Sequence, residues 1–139
     1  MSTLPSSKDF GTVYSEFITV LGEIAQKAIE ERSSAGGQQV PIPAPLEAVL
    51  AEVQSPAAIF AVNYAASQID PTTRNLLSQE LEFISSIYGG GNAQGTQKAV
   101  DDGEAGKDSV LDLLDTWLPD WLKKLLKILD EILSLLRPG

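Results

Sequence analysis

Between Leu118 and Leu136 the apolar and polar residues separate without exception. Trp121, Leu122, Leu125, Leu126, Ile128, Leu129, Ile132, Leu133, Leu135 and Leu136 fall on one side of a helix, and Asp120, Lys123, Lys124, Lys127, Asp130, Glu131, Ser134 and Arg137 on the other. At about 100° per residue the apolar set covers roughly half the circumference. The same residues fit a seven-residue frame with four apolar columns: Leu122, Leu129 and Leu136; Leu125 and Ile132; Leu126 and Leu133; Trp121, Ile128 and Leu135. Two columns would make a dimeric seam, whereas four make a face that touches at least two neighbours. Burying these side chains is worth roughly 15–30 kcal/mol gross, at about 1.5–3 each. Such a helix must lie against its own bundle, another chain or a lipid surface.

Upstream, steps of three and four predict further helices. Phe10, Val13, Tyr14, Phe17, Leu21, Ile24, Ala25 and Ala28 form one buried face of a helix ending near Arg32, with Ser6 or Ser7 as its cap. Residues 38–45, with prolines at 41, 43 and 45, read as an extended connector. A second helix carries Leu46, Val49, Leu50 and Val53 and is kinked at Pro56, or stops there and restarts, continuing through Ile59, Phe60, Val62 and Tyr64. Asp70-Pro71 repeats the cap-then-proline signal, and Leu76, Leu77, Leu81, Ile84, Phe83 and Tyr88 follow as core. Gly89-Gly90-Gly91 ends that helix.

The segment 89–107 is rich in glycine and polar residues, with a single β-branched aliphatic residue and no aromatic. Such a composition predicts a flexible link, because little apolar area offsets the entropy of ordering. The expected fold is all-α: a bundle of three N-terminal helices over 1–88, a flexible linker over 89–107, and a bent C-terminal amphipathic segment over 108–139. In the last of these, Val110, Leu111, Leu113, Leu114 and Trp117 precede a break at Pro119.

Composition narrows the chemistry. The 139-residue chain has neither cysteine nor histidine, which excludes disulfides, thiolate metal sites, a cysteine nucleophile and the commonest general base. The aromatics at helical spacing read as core rather than a ligand pocket, and the glutamates as solvated faces. No residue is assigned as catalytic, cofactor-binding or metal-ligating. Asp101-Asp102-Gly103-Glu104 lacks the ligand spacing of a calcium loop, and Gly89-Gly90-Gly91 lacks the lysine of a phosphate loop. With 19 acidic against 10 basic residues and a formal charge of −9, nucleic-acid binding is not expected. No signal core or long apolar run appears at the start, so a cytoplasmic location is the expectation.

The functional expectation is a non-enzymatic protein–protein interaction or assembly protein. Its contact surface is drawn from Trp117, Trp121, Leu122, Leu125, Leu126, Ile128, Leu129, Ile132, Leu133, Leu135 and Leu136, and its partner is another protein or a second copy. Membrane-surface binding is the alternative, suggested by the tryptophans and Lys123, Lys124 and Lys127. It is disfavoured because Asp120, Asp130 and Glu131 leave the segment near neutral. Asp120 with Lys124, and Lys127 with Glu131, are expected to pair along the helix.

Overall fold

Helix caps set the architecture. In the computed structural model, which describes residues 9–36, 45–89 and 96–136, six α-helices follow one another, with no strand among the described residues. They are α1 (Phe10–Gly36), α2 (Leu46–Val53), α3 (Pro56–Ser67), α4 (Pro71–Tyr88), α5 (Thr96–Leu114) and α6 (Asp120–Leu135), with a 3-10 turn over Asp115–Trp117 before the last. Asp9, rather than an upstream serine, caps α1: its carboxylate accepts from the Thr12 N–H at 3.0 Å. The bond from the Thr12 hydroxyl first, and this one after it, hold the Asp9 carboxyl below its usual range. Ser6 and Ser7 lie outside the described residues, as does the connector up to Ala44.

The chain does not kink at Pro56. It stops at Gln54, turns through extended Ser55, and restarts with the Ser55 hydroxyl accepting from the Ala58 N–H at 3.2 Å. Proline as first helical residue needs no N–H there, and a residue before proline avoids the α region. A break therefore costs less than a bend, and the three expected N-terminal helices become four among the described residues. Asp70 and Pro71 repeat the device, Asp70 accepting from Thr73 N–H at 3.0 Å. Gly89 follows α4 in extended rather than left-handed conformation.

The largest correction concerns the expected flexible link. Residues 96–107 are the first part of α5, while 90–95 lie outside the described residues. The glycines are there for proximity. A Cβ on Gly106 would stand 3.0 Å from the Phe17 ring and 2.9 Å from Ile84 Cδ1, and one on Gly103 only 2.4 Å from Leu21 Cδ1. Ala99, Gly103, Gly106, Val110 and Leu114 make a narrow buried stripe that lets α5 approach α1 and α4 closely. Contact area gained across that approach offsets the helix propensity lost at each glycine, about 1 kcal/mol.

Polar contacts tie α5 to α4 at two points. Tyr88 Oη donates to Asp102 Oδ2 at 2.6 Å, and Ser109 Oγ donates to Glu80 Oε1 at 3.3 Å, both from or to α4. The core is one cluster drawn from all six helices, with Tyr14, Phe17, Leu21, Leu81 and Leu126 among its fully buried members. Tyr14, wholly buried on α1, donates to the carbonyl of Val53 at the end of α2, at 2.7 Å.

Burial pushes the Tyr14 phenol far above its ordinary value of 10.0. Tyr88 is pushed up to about 12, first by burial and then by the hydrogen bond and charge of Asp102. Their stabilisation is complete below pH 10, the unfolded value, and is lost as pH rises toward 12. Absorbance at 295 nm is expected to show both phenols ionising late, together with loss of helicity. Asp102→Asn should lower Tyr88 only part of the way back, because burial, the larger cause, remains.

Candidate functional site

The leucine face of α6 divides into two parts. Leu122, Leu126, Leu129, Ile132, Leu133 and Leu136 are buried within the chain's own core, where α6 lies against α2 and α5. Leu125 and Ile128 are half-buried. Trp121 and Leu135 remain 41% and 44% exposed, and Trp117, in the 3-10 turn, 36%. Three of the four seven-residue columns thus turn inward. The fourth, Trp121–Ile128–Leu135, runs along the outer edge of the helix. Most of the expected contact surface therefore closes the chain's own fold, and what it leaves outside is Trp121 and Leu135, with Ile128 half-buried between them against the core.

Two devices fix that orientation. The Arg32 guanidinium at the end of α1 donates to the carbonyls of Leu135, at 2.9 Å, and Leu136. A cation on the last carbonyls is favoured by the helix dipole and fills acceptors without helical donors. The second device is charged. Lys107 on α5 is 1% exposed, and its ammonium lies 2.8 Å from Asp130 Oδ1 on α6 and 2.9 Å from Asp108 Oδ1. The Lys107–Asp130 contact is an ion pair by distance without hydrogen-bond alignment. Glu104, also buried, accepts from the Ser134 hydroxyl at 3.5 Å.

Glu104, Asp108 and Asp130 each place an oxygen within 4.8 Å of the others. The Lys107 ammonium already supplies a cation to two of the three, so the cluster reads as an electrostatic clip between α5 and α6. Sequence reading did not bring these residues together, because it placed Glu104 and Lys107 in a link. Their spacing at i, i+3 and i+4 beside the small-residue stripe was the available signal.

The outer charges also differ from expectation. Lys123 pairs with Asp120 at 3.5 Å and approaches Asp115 at 3.9 Å. Neither Asp120–Lys124 nor Lys127–Glu131 forms among the described residues; Asp120 is taken by Lys123 instead.

Several side chains expected in the core are outside it. Phe60 is 75% exposed, and Phe83, Leu76 and Tyr64 are exposed as well. On α3 the inward positions belong to Ala58, Val62, Ala65 and Ala66, and on α4 to Leu77, Leu81, Ile84 and Tyr88. Periodicity alone did not distinguish which apolar arc faced inward. An open groove of about 710 Å³ lies between α1 and α2, lined by Ile18, Gly22, Leu46 and Leu50 with Glu23, Glu30 and Glu47 among its polar residues. None of the aromatics lines it. No described helix is long and apolar enough to cross a membrane. No family model, curated protein or solved structure matches the chain.

Proposed function

We propose that the chain is a non-enzymatic helical interaction or assembly protein whose contact surface is the outer column of α6. One observation supports this reading: Trp121, Ile128 and Leu135 repeat every seven residues along the edge of a helix whose other apolar columns are buried. Single exposed apolar residues are ordinary on protein surfaces. An aligned column led by tryptophan, spanning about 21 Å of helix, is the kind of surface a partner covers. Trp117 extends it at the N-terminal end.

A photo-crosslinking phenylalanine analogue in place of Ile128, in cells expressing the chain, is expected to give protein adducts. Those adducts should fall sharply when Leu135→Glu is added, a change at an exposed position. Irradiation without protein adducts, or adducts indifferent to Leu135→Glu, overturns the reading.

Membrane-surface binding draws on one observation, that Lys124 and Lys127 are exposed on the same helix as Trp121. Exposed Asp120 and Glu131 balance them. A blue shift of tryptophan emission on phosphatidylcholine–phosphatidylglycerol vesicles, without protein adducts, would select that alternative.

A further inference from the structure

We infer that the partner of this column is a second copy of the chain, packed antiparallel on α6. The inference rests on the interaction reading above and narrows it to one occupant. The column is centred on Ile128, with Trp121 seven residues before it and Leu135 seven after. A two-fold axis through Ile128 lays Ile128 on its copy, and each Trp121 on the other chain's Leu135. Large therefore meets medium at both ends, as a self-complementary contact requires.

The charges beside the column follow the same symmetry. Lys124 and Glu131 are exposed, and at about 100° per residue they project within about 20° of each other on the outer flank. Antiparallel packing brings each Lys124 to within one residue, about 1.5 Å along the axis, of the other copy's Glu131. Parallel packing, with its two-fold along the helices, instead carries the two charged flanks to opposite sides of the seam, so that neither lysine meets a glutamate. Neither residue is engaged in an ion pair among the described residues, where α6 pairs through Lys123 with Asp120 and through Asp130 with Lys107.

Net charge points to the same surface. Two copies of a chain carrying −9 repel over most orientations. The outward side of α6 carries Asp120, Lys124, Lys127 and Glu131, two of each sign, so an approach through it adds no local charge to that repulsion.

Sedimentation equilibrium of the full chain across micromolar concentrations is expected to show a monomer–dimer equilibrium. Lys124→Glu and Glu131→Lys, both at exposed sites, should each weaken it about tenfold, since one reversal turns both symmetry-related contacts repulsive. An equimolar mixture of the two variants should recover the dimer, because opposite charges then meet at both contacts. Circular dichroism confirms that each variant is folded. A chain monomeric into the hundreds of micromolar, a dimer indifferent to both reversals, or reversals not rescued by mixing overturns the inference. A monomer that pellets with phosphatidylcholine vesicles overturns it in favour of a lipid surface. A monomer that still gives Ile128-directed adducts to other proteins ends self-pairing alone, leaving the interaction reading in place.

Discussion

Gly106→Leu is expected to destabilise the fold by about 3 kcal/mol, the upper end of overpacking in a filled core. Already the first added carbon would stand 3.0 Å from two atoms of the Phe17 ring and 2.9 Å from Ile84 Cδ1. The isoleucine methyl can swing aside. The Phe17 ring, 1% exposed and enclosed, cannot, so α5 must move off α1 and the Ala99–Val110 stripe opens with it. Gly106→Ala should cost less, because its gain in helix propensity, about 1 kcal/mol, works against the clash. In a chain of this size 3 kcal/mol corresponds to a melting temperature lower by roughly 10 °C. The size series carries the test. Were 96–107 a solvated link, all three steps from alanine through valine to leucine would stay within about 0.5 kcal/mol of the parent. A flat series in urea denaturation would therefore remove α5 from the core.

That helix also shows where sequence reasoning stops. Wide apolar stripes announce helices by themselves, so α1, α4 and α6 were legible from Phe10 to Ala28, Leu77 to Tyr88 and Leu122 to Leu136. So was the Asp70-Pro71 start, whereas Ser55-Pro56 left a kink and a restart equally open, because the same cap-then-proline pair can sit at either. The segment from Thr96 to Lys107 was read by composition, and composition scores glycine as freedom. At Gly103 and Gly106 glycine is instead the absence of an obstacle, a property that belongs to Leu21 and Phe17 eighty residues away in the chain. The same limit explains Phe60 and Phe83. Each sits at helical spacing from apolar neighbours, but the arc that faces inward is fixed by what packs opposite, and on α3 that arc is alanine and valine. For α6 the full apolar face was legible. Which column stays at the edge was not, since α2 and α5 cover three columns and leave Trp121 and Leu135 of the fourth exposed. The clip of Lys107, Asp130 and Glu104 required knowing that α5 exists at all.

Lys107→Ala is expected to cost about 3 kcal/mol, the lower end of the loss on removing one member of a buried ion pair. The lower end applies because Asp130 and Asp108 are 39% and 53% exposed, so water screens the carboxylates left behind. Two contributions add. The lysine stem fills space between α5 and α6 and its loss leaves a cavity, and its ammonium is the cation nearest to Asp108 and Asp130, which crowd buried Glu104. Lys107→Met separates them: it keeps most of the stem and removes the charge, so it should fall between parent and alanine. A double-mutant cycle of Lys107→Met with Asp130→Asn should give a coupling of about 1 kcal/mol or more, within the range of contacting residues. The consequence reaches the outer surface, because Asp130 lies two residues beyond Ile128 on the same helix. With the clip removed, α6 is held by its leucines and by Arg32, and hydrogen exchange over 120–135 should quicken more than over α4. If Lys107→Ala leaves both stability and α6 exchange unchanged, the leucine columns alone orient the helix and the charged cluster has no part in presenting Trp121, Ile128 and Leu135.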